Sequence, residues 1–264
     1  MRPLLPRLLA VLSFVGAVTS ALAFAATASA AERPLRVHFP DGGLAPFIFL
    51  PPGAQQPTGI VVELVNAAAK QDGRAVRYEF LPREKANEAL ASNHADVALF
   101  FQVSRAPAKA LRVSAPILSA PAVLVSTREQ PLAYRRNSDL RDRPLCVLTD
   151  DLHPPLALLA MNGQLIQRKT KTEQAQLMML RNGDCLAAVM SGPVFAWMKR
   201  RYGGDDLAAA ANPLLEESTL LGFRAAESAF ADRLDALLAR WRASGELDRL
   251  VSRYLPGGAR ISQR

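Results

Sequence analysis

Two successive runs of strands alternating with helices constrain this chain more than any other feature. In the first run, Pro34-Leu-Arg-Val-His-Phe39 reads as a short strand, and a loop with the turn signal Asp41-Gly42 follows. After Gly59, Ile60, Val61, Leu64, Val65 and Ala68 recur at helical spacing until Asp72-Gly73. Val76–Phe80 is the next strand. Pro82 suits the first turn of a helix reaching about Ser92, because its missing N–H costs nothing there. Asp96-Val-Ala-Leu-Phe-Phe101 is a continuous apolar strand, as expected for one covered on both faces. Such a β-α-β-α-β order needs crossover helices and gives a parallel sheet.

The second run repeats the plan. Pro144–Leu148 is a strand, Pro155–Met161 a helix and Leu165–Arg168 a short strand. Thr170-Lys-Thr-Glu173 fits a capping box, which opens a helix carrying Leu177, Met178 and Leu180 and ending at Asn182-Gly183. Met178 and Met179 read as core filling. Cys185–Val189 is the third strand, and Pro193 opens a helix reaching Tyr202. Between the runs, Pro121–Ser126 reads as a strand crossing from one to the other, and Ser218–Arg224 as a strand returning. Two helices finish the chain, with core stripes at Phe230, Leu234, Leu237, Leu238 and Trp241, and at Leu247, Leu250, Val251 and Tyr254.

Residues 1–30 have the pattern of a secretory signal. Arg2 and Arg7 are followed by an apolar stretch from Leu8 to Ala25 and by Ala28-Ser29-Ala30, a small-residue cleavage site. An uncleaved anchor is the alternative, since the apolar stretch is long for a signal. The formal net charge is +8, and two of those charges leave with the signal. The remaining basic residues are scattered rather than gathered on one face, which argues against nucleic acid as a partner. Lys199-Arg200-Arg201 fits a helix C-terminus, where cations complement the dipole. His38, His94 and His153 lack paired ligand spacing, so no metal and no cofactor is expected. An exported chain enters an oxidising compartment, where Cys146 and Cys185 could pair. Each opens a strand. If those strands are parallel neighbours, a bridge is geometrically open; two buried thiols are the alternative.

The order of elements resembles the type 2 periplasmic solute-binding proteins, in particular the bacterial solute-binding family 3 that serves amino-acid transporters. The local patterns are Leu35-Arg-Val, Ala45-Pro46-Phe47 for the family's Pro-Pro-Phe, and Gly59-Ile-Val-Val-Glu-Leu64 for its Gly-Phe-Asp-Val-Asp-Leu. Ser114-Ala-Pro116, Ser138-Asp-Leu140 and the Gly245–Leu255 helix extend the match over residues 34–255. The resemblance implies an α/β fold with two lobes joined by two crossing hinge strands. Residues 32–122 plus 219–264 would form lobe one, residues 123–218 lobe two, and the ligand would sit between them.

The resemblance also implies a set of ligand-binding residues. Phe47 stands where the family packs an aromatic on the ligand; burial in lobe one is the alternative. Phe101 and Gln102 end a strand that opens onto the cleft, whereas Phe100 should point into the core. Arg105 lies near the family's carboxylate-clamping arginine, but that arginine itself falls at Lys109, which cannot copy the planar fork. Thr149, Asp150 and Asp151 occupy a loop where the family presents small residues to a carboxylate. Ser191 stands where the family has the Asp that binds an ammonium. These departures argue against a standard α-amino acid unless Asp150 or Asp151 supplies the missing charge.

The expected function is therefore that of an exported, periplasmic, monomeric receptor. It would close on a small polar ligand and deliver it to the membrane permease of an ABC transporter. An accessory or sensory protein of the same fold, for instance one accompanying a periplasmic dehydrogenase, is the alternative. A dehydratase-like enzyme is the remote third reading, because no catalytic motif is present.

Overall fold

The computed structural model describes residues 33–102, 112–148 and 153–256. The signal-like segment 1–30, Arg105, Lys109, Thr149, Asp150 and Asp151 lie outside the described residues.

The first run folds as β1 (Leu35–Pro40), α1 (Ile60–Gln71), β2 (Val76–Leu81), α2 (Ala86–Ala91) and β3 (Val97–Gln102), with a 3-10 turn over Arg83–Lys85 leading into α2. Two strands follow, β4 (Arg112–Val113) and the long β5 (Leu118–Thr127). The second run is β6 (Pro144–Leu148), α3 (Pro154–Met161), β7 (Ile166–Thr170), α4 (Glu173–Arg181), β8 (Ala187–Ser191) and α5 (Gly192–Tyr202). Strands β9 (Leu207–Ala209) and β10 (Leu215–Phe223) and helices α6 (Ser228–Ala243) and α7 (Glu246–Tyr254) complete it.

The strands lie in the order β2-β1-β3-β10-β5-β8-β6-β7. Within each run the first strand is central and pairs in parallel with the other two: β1 with β2 and β3, β6 with β7 and β8. The crossing strands β10 and β5 run antiparallel to each other and to their neighbours β3 and β8. Register then fixes where the runs meet. Gln102, at the end of β3, faces Ser218; Ser218 faces Ser119; and Ala122, three residues on, faces Ser191 at the end of β8. The carboxyl ends of two parallel strand sets thus converge on one short stretch of β5 and β10. Ligands of open α/β sheets bind at such strand ends.

The apolar stripes do what their spacing requires. Ile60, Val61, Leu64, Val65 and Ala68 of α1 are buried, as are Phe230, Leu234, Leu237 and Leu238 of α6, with Trp241 half-buried against them. Leu247, Leu250 and Val251 bury α7. Tyr254 anchors that helix to the start of α1. Its hydroxyl lies 2.9 Å from Thr58 Oγ1, accepts from the Gly59 N–H at 3.2 Å and donates to Glu63 Oε1 at 2.5 Å. Gly59 is required here. Its φ is 129°, and a Cβ would stand 2.3 Å from the Phe47 carbonyl oxygen.

Three local expectations are corrected. Met178 is 59% exposed, because Leu177 and Leu180 take the inward face of α4 and Met179 packs only partly. The cap of α4 is Thr172, which accepts from the Ala175 N–H at 3.2 Å, not Thr170. Thr170 is instead the buried last residue of β7, and its hydroxyl donates to the Val147 carbonyl. The returning strand β10 begins at Leu215, three residues before Ser218, and so takes in Glu217. Strands β4 and β9 carry too few residues to show a period. Cys146 and Cys185 are joined by a disulfide with Cα atoms 5.7 Å apart, and their segments are parallel neighbours, Cys146 facing Ala188.

A polar network secures the other end of the first strand set. The Arg36 guanidinium donates to both oxygens of the Asp96 carboxylate, which is fully buried, and Arg224 pairs with Asp96 at 3.0 Å. The bond to Asp96 holds the Arg36 guanidinium above its ordinary pKa. Arg74 pairs with Glu227 at 2.7 Å, both buried. The starts of β1, β2, β3 and α6 are tied together there, far along the strands from the converging carboxyl ends.

Candidate functional site

A narrow recess of about 20 Å3, room for roughly one water molecule, lies where the strand ends converge; it is lined by Arg83, Leu148, His153, Glu173, Val189, Met190, Ser191 and Glu217. Each is delivered by an element terminus or by a crossing strand. Arg83 opens the 3-10 turn after β2, in the first half of the sheet. Leu148 ends β6, His153 caps α3, Glu173 is the first residue of α4, and Val189–Ser191 end β8. Glu217 lies on β10, opposite Ala120 of β5.

Polar groups cross the recess. Arg83 Nη2 donates to Glu173 Oε1 at 2.8 Å, joining the two halves of the fold. His153 Nε2 lies 3.9 Å from Glu217 Oε2, and both side chains are almost entirely buried. The Ser191 hydroxyl is out of reach of water and has no hydrogen-bond partner among the described residues. Leu148, Val189 and Met190 supply an apolar wall. This mixture of a guanidinium, an imidazole, two carboxylates and a hydroxyl on an apolar base suits a small polar guest.

Supporting contacts hold the lining in place. Buried His38 on β1 places Nε2 3.1 Å from the Pro82 carbonyl, fixing the corner from which Arg83 projects; burial pushes its pKa down. Buried Gln176 on α4 donates from Nε2 to the carbonyls of Cys146 and Val189, at 3.0 and 3.1 Å, bridging β6 and β8. Among the described residues no group of His, Cys, Asp and Glu could hold a metal ion, and no helix is long and apolar enough to cross a membrane.

Of the residues selected from sequence, Ser191 lines the recess. Phe47 does not: its ring is fully buried in the core beneath the β1–α1 loop, and Phe49 is the aromatic of that loop that reaches across to Trp197 of α5, with ring centroids 5.3 Å apart. The backbones of Phe101 and Gln102 end β3 opposite Thr219 and Ser218, while their side chains lie outside the description. Arg105, Thr149 and Asp150 are likewise outside it. Sequence reasoning missed Arg83, His153, Glu173 and Glu217. Pro82 could have flagged Arg83, since a residue starting a helix after a parallel strand stands at the carboxyl end of the sheet. Glu173 enters the sequence reading only as part of a capping box, and Glu217 lies one residue before the strand expected from Ser218.

Two parallel strand sets, two crossing strands and a polar recess at their junction define a two-lobed α/β binding protein. The chain belongs to the bacterial extracellular solute-binding proteins, family 3, whose family model matches residues 36–257. That family is one of solute-binding proteins. Solved structures agree on the fold. A histidine kinase sensor domain with similarity to periplasmic binding proteins superposes with a TM-score of 0.75 at 22% identity, covering 86% of this chain and 97% of that one. The amino-acid ABC transporter substrate-binding protein AbpA from Streptococcus pneumoniae, bound to L-arginine, gives 0.71 at 19%, covering 84% and 94%. The substrate-binding protein of another amino-acid ABC transporter gives 0.70 at 18%, covering 83% and 98%. No curated protein matches.

Proposed function

We propose that this is an exported, periplasmic solute-binding protein that closes on a small polar ligand between its lobes and delivers it to the membrane permease of an ABC transporter. One observation carries the reading: a single recess takes polar side chains from both lobes, Arg83 and Glu173, and from the crossing strand, Glu217. A guest held there touches groups that separate when the lobes part, so it favours the closed form. Moving a population from almost all open to almost all closed takes about 5.5 kcal/mol of differential affinity. The signal-like residues 1–30 and the family support export, and the amino-acid transporter proteins of like fold support the transport role.

The ligand is expected to depart from a standard α-amino acid. Ser191 brings no negative charge to the end of β8, and a buried ammonium without a counter-charge would cost several kcal/mol. Glu173 and Glu217 offer carboxylates elsewhere in the recess. Isothermal titration against amino acids, polyamines and small carboxylates tests this, with Trp197 fluorescence reporting closure through its contact with Phe49. Saturable binding of one class at micromolar or tighter affinity supports the receptor. Failure of every class would refute it and leave the second reading, a sensory or accessory module. The likeness to the histidine kinase sensor domain favours that second reading.

A further inference from the structure

We infer that the outer face of α3, with the arginine-bearing turn beside it, docks on an anionic lipid surface. Helix α3 reads Pro-Pro-Leu-Ala-Leu-Leu-Ala-Met and is apolar on every side. A helix of that composition ordinarily has neighbours all round. Here only one side has them: Leu156 and Leu159 enter a core with Leu140, Leu145 and Leu165. On the outer side Leu158 is 61% exposed and Met161 84%, the two highest values among the large apolar side chains of the described residues. They stand three positions apart, so they share one face of the helix.

Arginines accompany that face. The 3-10 turn Asn137–Leu140 packs beside α3, with Leu140 in the same core. Arg135 and Arg136 precede the turn, Arg141 and Arg143 follow it, and all four are exposed. The Asp142 N–H donates to the Gln164 carbonyl at 3.0 Å, which holds Arg141 and Arg143 near the loop that leaves Met161. The turn also carries two acids. Asp139 is taken up locally: it accepts from the Arg135 and Arg136 N–H groups at 2.9 and 3.0 Å and stands 3.7 Å from the Arg136 guanidinium. Asp142 is exposed. Four cations thus face two anions, and among the described residues Arg135, Arg141 and Arg143 have no ion pair. Charge and size select the occupant. A second copy on the same face would set arginines against arginines. A helix face about 12 Å long also falls short of the roughly 800 Å2 per partner of a stable protein interface. A fluid anionic leaflet needs no matching pocket. Its phosphates suit guanidinium groups, and its acyl boundary takes in protruding Leu and Met side chains.

The inference does not rest on the receptor reading, and its test needs no solute. The full chain, oxidised and folded, is sedimented with vesicles of phosphatidylglycerol and phosphatidylcholine in equal parts, and with phosphatidylcholine alone. Wild type should pellet with the anionic vesicles, and less so as sodium chloride is raised, because salt screens the arginines. L158S/M161S should lower the partition coefficient by on the order of tenfold. R141Q/R143Q should lower it about 25-fold, roughly fivefold for each cation removed. Both variants change only exposed side chains, and urea midpoints verify that they fold as wild type does. Residues 1–30 are the same in every sample, so a lipid contact made by them does not respond to the variants. Wild type and variants pelleting alike would therefore overturn the inference, as would equal pelleting with phosphatidylcholine alone. No pelleting at all would overturn it and leave an acidic protein surface as the occupant. Sedimentation velocity covers the remaining case: a dimer that L158S/M161S abolishes, with no vesicle binding, would assign the face to a second copy. A chain that pellets as expected but binds nothing in the titrations would keep the docking face and lose the receptor reading.

Discussion

Replacing both Cys146 and Cys185 by alanine should cost about 4 kcal/mol of stability, nearly all of it in lobe two. The bridge spans 39 residues that include α3, β7 and α4. Closing a loop of that length removes on the order of 13 cal/mol/K from the unfolded chain, which is about 4 kcal/mol at 25 °C. Both sulfurs are buried, so the alanines add a small cavity cost. Urea denaturation of the oxidised protein and the double variant measures the difference, and the melting point should fall by roughly 8–16 °C for a chain of this size. Hydrogen exchange adds the location: protection should drop in β6, β7 and β8 while β1 and β3 keep theirs. The bridge ties β6 to the segment entering β8, and those two strands share only the Leu145–Ala187 and Cys146–Ala188 register pairs. A loss below about 1 kcal/mol would refute the reasoning, as would a loss of protection spread evenly over both lobes. The first result would mean that Gln176, which bridges the same strands, already restrains them; the second, that the two lobes unfold as one cooperative unit.

Two further outcomes follow from single side chains. Gly59→Ala should cost about 3 kcal/mol or more in chemical denaturation, because a Cβ meets the Phe47 carbonyl at 2.3 Å on a backbone with φ of 129°; a loss under about 1 kcal/mol would show that the loop can move aside. Tyr78, Tyr134 and Tyr254 all have pKa values raised by burial, with Glu63 adding to the effect at Tyr254. The folded state therefore holds phenolic protons that the unfolded chain releases above about pH 10. Their contribution is complete below pH 10 and is lost as pH rises through the folded values. Urea midpoints taken at pH 9, 10 and 11 should fall over the last step, and Tyr254→Phe should flatten the fall.

Most of the fold was legible because its signals are local and repeated. The apolar spacing of α1, α6 and α7 reports burial directly, since one face of each helix has a single place to go. The unbroken apolar run ending in Phe101 marks a strand covered on both sides. What failed were single residues whose neighbours decide between equal options. Thr170 and Thr172 both offer a hydroxyl to α4, and only the length of β7 assigns the cap to Thr172. Met178 and Met179 differ by 100° around α4, and only the packed structure shows which of them meets solvent.

The site was harder to read than the fold for a physical reason. Its lining comes from residues that end elements, where periodicity stops, and from β10, where strand pairing with β5 extends back to Leu215. Glu217 looks like loop until that pairing is known. Once on the strand it must be satisfied inside the protein, because a carboxylate 3% exposed cannot rely on water. His153 lies 3.9 Å away, at the start of α3. The crossing strand thus carries a charge that is coupled to lobe two, while Arg83 of lobe one reaches Glu173 of the same lobe two. In the proposed closure, a rotation about β5 and β10 would leave the first pair near its axis and pull the second pair apart. Under that proposal Glu217, beside the hinge, would stay near a guest throughout, whereas Arg83 and Glu173 would meet it together only in the closed form.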